Sequence, residues 1–144
     1  MDSDQYISIL KEIAETGKEV SLMVSGCSMN PFLGDKRDMI SFTRPDRELR
    51  RGDMVFYQRA DGQYVMHRIC RVKQDGYYIT GDAQTEIEGP VQREQIFGLV
   101  QKVCRKGRWI GPEDFWWRFF AHVWIRLIPL RPMILKMYKL IFKN

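Results

Sequence analysis

Two Asp-Gly dipeptides, Asp61-Gly62 and Asp75-Gly76, each separate one run of β-branched and aromatic residues from the next. Asp-Gly readily takes the left-handed backbone of a tight hairpin turn, so this arrangement is the strongest short-range hairpin signal available. It predicts strands over 54–59, 64–72 and 77–80. Upstream, Val20, Leu22 and Val24 alternate with other residues over 19–25 and predict a further strand, with another over 39–43. A run over 96–103 is expected to complete an antiparallel meander. Ahead of the strands, Ile7, Leu10, Ile13 and Ala14 fall at helical spacing behind a cap at Asp2 or Ser3, and Gly17 stops the helix. The expected body is mainly β with one short N-terminal helix.

Charge decides what such a body can bind. The chain of 144 residues has a net charge of +5, which invites a nucleic-acid partner. However, six of the 23 basic residues lie in 115–144, a stretch without an acid, leaving 17 against all 18 acids in 1–114. The body is therefore slightly acidic, and no helix-turn-helix pattern precedes it, so no nucleic-acid partner is expected. A β domain over 1–114 and a basic, aromatic, amphipathic tail over 115–144 are expected instead. The tail's apolar stretches are too short to span a bilayer and are broken by Pro129 and Pro132. Residues 113–128 predict one helical segment, with Pro112 and acids at its start, and 132–143 another. Trp116, Trp117 and Trp124, with Arg126, Lys136, Lys139 and Lys143, suggest in-plane binding to an anionic membrane; packing on the sheet or on a partner protein is the alternative.

Chemistry concentrates on two segments. With Asp75-Gly76 as a two-residue turn, counting back places Ile69 opposite Asp82, so His67, Ile69 and Asp82 share one face. Aliphatic neighbours such as Val65 partly desolvate His67, which favours the neutral imidazole and suits it to act as a base. Arg68, on the opposite face, is expected in solvent, as is the charged connector holding Arg44, Arg47, Arg50 and Arg51. A nucleophile must come from a loop aimed at that face, and Ser28, between Gly26 and Pro31, is the candidate. Cys27, beside it, offers a Cys-His alternative. Cys27, Cys70 and Cys104 are odd in number and widely spaced, matching neither a disulfide framework nor a zinc ligand set, and Cys70 and Cys104 are expected as small buried groups. No metal and no cofactor are expected.

The segment Val24-Ser25-Gly26-Cys27-Ser28-Met29-Asn30-Pro31 resembles the Ser-Met-x-Pro nucleophile box of the signal peptidase I and SOS-repressor superfamily of serine peptidases. Three further boxes occur in that family's order: Arg51-Gly52-Asp53-Met54-Val55-Phe56, Tyr64-Val65-Met66-His67-Arg68-Ile69 and Gly81-Asp82-Ala83. The resemblance spans roughly 18–103, most of the body. In the third box many family members carry a lysine base, whereas His67 here is similar to the Ser-His signal peptidases of the endoplasmic reticulum and of archaea. The resemblance implies a partly open β barrel, Ser28 as acyl-forming nucleophile with its own backbone N–H as oxyanion donor, and His67 as general base. Those Ser-His enzymes carry an aspartate several residues after Gly-Asp, where this chain offers Glu86 and Glu88. Asp82, from register, is expected to orient His67, with Glu88 as runner-up.

Signal peptidases often place a serine two residues before the nucleophile, and Gly26 stands there. The family's N-terminal membrane anchor and a secretory signal are not seen in the opening residues, and the cysteine usage fits a reducing compartment. The expected protein is thus a cytoplasmic hydrolase, peripheral on the membrane's cytoplasmic face, that cleaves a leader or signal-type peptide. A silent peptide-binding module of the same fold is the alternative.

Overall fold

The computed structural model describes residues 3–141. Helix α1 (Ser3–Glu15) buries Leu10 and Ala14 against the sheet, and the chain leaves it through Gly17 at φ +92°. Eight strands follow: β1 (Val20–Met23), β2 (Met39–Thr43), β3 (Met54–Gln58), β4 (Tyr64–Lys73), β5 (Gly76–Thr80), β6 (Glu88–Val91), β7 (Ile96–Arg105) and β8 (Arg108–Ile110). Every pairing is antiparallel, in the order β1-β2-β7-β3-β4-β5-β6, with β8 paired to β7. The sheet is not closed: β1 and β6 end the path without meeting.

The expected meander is corrected at β7, which inserts between β2 and β3 rather than following β5. Its apolar run is continuous, not alternating, so both of its faces need cover, and a central strand receives it. Phe97, Val100 and Val103 enter one buried cluster with Phe42, Phe56 and Met54, while Ile96 and Leu99 enter another with Val55, Tyr57, Ile69 and Ile79. Odd and even residues of β3 divide between the same two clusters, so one sheet carries a core on each face.

Strands β6 and β8 escape a reading by apolar pattern. β8 pairs back onto β7 through Lys106-Gly107, both at positive φ, which is the geometry of a two-residue primed turn. β6 carries Pro90 and lies at the sheet's edge, where a missing N–H costs no ladder bond.

The expected register of the second hairpin is also corrected. Its two-residue turn is Gln74-Asp75, because Lys73 pairs with Gly76, and the pairing shifts again at Cys70. Gly76, at φ +142°, serves the approach of β6: a Cβ there would stand 2.9 Å from Val91 O and 3.0 Å from Pro90 Cβ.

The chain then enters α2 (Phe115–His122), capped by Asp114, whose Oδ1 accepts from the N–H groups of Trp116 and Trp117. The helix is shorter than the expected 113–128: two 3-10 turns, Trp124–Arg126 and Ile128–Leu130, lead into α3 (Arg131–Ile141). Trp117, Phe120 and Trp124 belong to the same cluster as Phe32 and Phe42, with the Phe32 and Phe120 ring centroids 4.9 Å apart. A division at residue 114 therefore falls inside one core. No helix among the described residues is long and apolar enough to cross a membrane.

Candidate active site

The segment between β1 and β2 holds Ser28. Gly26, at φ +90°, turns the chain out of the strand, and its N–H donates to Asp35 Oδ1 at 2.7 Å. Met29, Phe32 and Leu33 then plunge into the core, so the residue just before them is anchored from its C-terminal side. Two turns, Asn30 N–H to Cys27 O and Leu33 N–H to Met29 O, tighten the segment without using the Ser28 amide. Ser28 is half-buried and Cys27 exposed.

A second segment, the turn at 81–84 after β5, supports the first. Ala83 N–H donates to Ser28 O at 2.9 Å, and a Cβ at position 81 would stand only 2.5 Å from that oxygen. Glycine at 81 is thus the condition for the turn to lie flat against the Ser28 loop. Gln84 closes the turn by accepting the Gly81 N–H on its Oε1.

His67 comes from the middle of β4, opposite Val55 of β3, which fixes its side of the sheet. Ser28 and His67, 39 positions apart, line one cleft of about 530 Å³ together with Gly26, Met29, Arg59 and Gln84. Cys27 is not among its lining residues. No hydrogen bond joins Ser28 Oγ to the imidazole. Burial, reinforced by the nearby Arg59 charge, lowers the His67 pKa from 6.5 to about 4, against a partial upward pull from Glu88 and then Asp82. The imidazole is neutral at pH 7 and free to accept a proton.

The acids are arranged differently from the expectation. Asp82 gives both carboxylate oxygens to Arg68, at 2.8 and 2.9 Å, in a pair fully removed from solvent. The one-residue shift at Cys70 moves Asp82 off the His67 face and onto the Arg68 face, whereas the displaced turn changes the pairing by two and leaves the face unchanged. Arg68, expected in solvent, is buried, with its Nη1 on Gly52 O and its guanidinium over the Phe32 ring. A buried guanidinium is tolerated because the carboxylate and carbonyl satisfy its donors. Glu88 is the acid whose charge acts most strongly on His67, and its own carboxylate accepts from Tyr57 OH and Arg59. These contacts hold its pKa below the usual carboxylate value despite desolvation. Tyr57 pays for its burial beside that carboxylate with a strongly raised phenol pKa. Arg59, Tyr57 and Gln84 are site residues that the sequence pattern does not single out; Arg59 is marked only by its place just before the Asp61-Gly62 turn.

The tail reaches this site from below. Trp124 Nε1 donates to Asp82 O at 2.8 Å, and Arg131 Nη1 donates to Gly81 O and Gln84 O. Trp117, Trp124 and Arg131 are buried, so the two indoles expected at a membrane are core residues instead, placed there by the aromatic stack on Phe120 and by these bonds. Trp116, Arg126, Lys136 and Lys139 are exposed, and Lys143 lies outside the described residues. Among the described residues no three His, Cys, Asp or Glu side chains converge as a metal site.

A scan against protein-family models and searches of curated proteins and of solved structures found no match.

Proposed function

We propose that this protein is a serine endopeptidase that cleaves a leader or signal-type peptide, with Ser28 as nucleophile and His67 as general base. The observation that carries the reading is the opening of Ser28 and His67, from segments far apart in sequence, onto one cleft. The four ordered sequence boxes support it, and so does the exclusion of Cys27 from the cleft lining, which favours hydroxyl over thiol chemistry. On this reading the open sheet is a signal-peptidase-like barrel, acting at the cytoplasmic side of a membrane.

The chemistry runs in two halves. Ser28 Oγ attacks the scissile carbonyl carbon as its proton passes to His67, and the resulting oxyanion accepts from the Ser28 N–H. Collapse breaks the C–N bond, with the proton handed from His67 to the leaving amine, and leaves an ester on Ser28. Water, deprotonated by His67, then cleaves the ester and returns the proton to Ser28. Glu88 replaces Asp82 as the acid whose negative charge steadies the imidazolium. An extended substrate can add to the outer edge of β1, whose Leu22 and Met23 line the same cleft.

Candidate precursor peptides incubated with the protein, with products read by mass, test this. Cleavage by wild type and by Cys27→Ala, lost in Ser28→Ala and His67→Ala, is expected; cleavage that survives Ser28→Ala overturns it. The low basicity of His67 and its separation from Ser28 Oγ favour a second reading, a silent peptide-binding module of the same fold. Saturable peptide binding that is the same in wild type and Ser28→Ala, without products, selects that one.

A further inference from the structure

Helix α3 has an inverted surface. Ile134 and Leu135 face inward and pack against the main core cluster. The opposite side of such a helix ordinarily carries charges. Here Met133, Met137 and Leu140 occupy it at i, i+4 and i+7, and Ile141 at the helix end is exposed too, each between 53% and 69%. Lys136 and Lys139 run along one flank of that apolar stripe. At the start of α2, Phe115 and Trp116 are exposed as well. The Arg105 guanidinium lies 5.8 Å from the Trp116 ring.

We propose that the outward face of α3, flanked by Lys136 and Lys139, is a docking surface for an anionic lipid bilayer, with the helix lying in the plane of the headgroups. Charge selects this occupant. From residue 115 onward the chain has no acid, and Arg118, Arg126, Lys136 and Lys139 are exposed. A second copy applied to the same face sets these cations against one another, whereas anionic headgroups accept them while acyl chains take the apolar stripe. At 11 residues, α3 is about 16 Å long, which suits an in-plane helix and not a spanning one. Arg131, its first residue, is bonded to the 81–84 turn beneath Ser28, so seating α3 on lipid also holds the cleft near the membrane surface. The surface stands independently of the peptidase reading, because neither its residues nor its test involves turnover.

Flotation of the full chain with phosphatidylcholine vesicles, with and without phosphatidylglycerol, tests the proposal. Wild type is expected to float only with the anionic vesicles and to be released by molar salt. Lys136→Glu/Lys139→Glu is expected to weaken partitioning about tenfold or more. Leu140→Asp/Ile141→Asp is expected to remain at the bottom while retaining the wild-type circular dichroism and melting temperature, since both side chains lie outside the core. Undiminished flotation of either variant overturns the proposal, as does a wild type that ignores anionic vesicles but dimerises with rising concentration in sedimentation.

Discussion

His67 concentrates the site's electrostatics in a single side chain. Its position on a rigid strand is legible in the sequence from the alternation around Val65 and Ile69, and so is its desolvation. Its partner is not legible. The face of Asp82 depends on the one-residue shift at Cys70, which no local pattern encodes. On the proposed mechanism, a His67 pKa of about 4 is expected to put the acid limb of kcat/KM near that pH rather than near 6.5. Arg59→Gln removes a positive neighbour and frees the Glu88 charge, so the limb is expected to move to higher pH; Glu88→Gln is expected to move it lower. A pH–rate profile of each variant checks the opposite signs. Stability follows the same group. Between pH 4 and 6.5 the unfolded chain binds a proton that the folded protein refuses, so stability is complete above 6.5 and declines as pH falls through this window, by at most ~3 kcal/mol. His67→Gln is expected to flatten that part of the stability curve, measured by denaturant unfolding at each pH.

Among the elements, the turn at 81–84 joins everything the site needs. Ser28 rests on it from above, while Arg68, Trp124 and Arg131 hold it from below. The Gly81-Asp82-Ala83 box is visible in the sequence, but its reason is steric support rather than the orientation of His67. Gly81→Ala brings a methyl against Ser28 O at 2.5 Å, a backbone atom that cannot rotate away. The expected result is at least a tenfold loss in the acylation rate, for a stability cost of about 1–3 kcal/mol measured by thermal unfolding. Helices and long strands were within reach of periodicity: α1, β2 and β4 lie close to where the pattern puts them. The short pieces were not, since β6 and β8 owe their pairing to neighbours and to a primed turn at Lys106-Gly107.

At the scale of the whole molecule, the charge split at residue 114 does not coincide with a break in the packing, since residues on both sides of it share one buried cluster. The acid-free C-terminal segment is half core and half surface. Its first half supplies Trp117, Phe120 and Trp124 to the cluster that contains Phe32 and Phe56, and burying aromatics of this size contributes several kcal/mol. Its second half, α3, keeps an apolar stripe in solvent. Hydrophobic spacing alone cannot separate these fates, because both halves show the same helical period. Truncation after residue 114 is expected to abolish the cooperative thermal transition, measured by calorimetry, rather than to leave a folded body. The central position of β7 likewise depends on contacts distant in sequence, which place a late strand between two early ones.

The central claim is that Ser28 is an activated nucleophile, and covalent labelling by a serine-directed fluorophosphonate, read as intact mass, tests it most directly. One adduct on wild type and on Cys27→Ala, mapped to Ser28 by peptide mass, with none on Ser28→Ala and much slower labelling of His67→Ala, is the result expected. An adduct that persists in Ser28→Ala, or wild-type protein that stays unlabelled while fully folded, contradicts it.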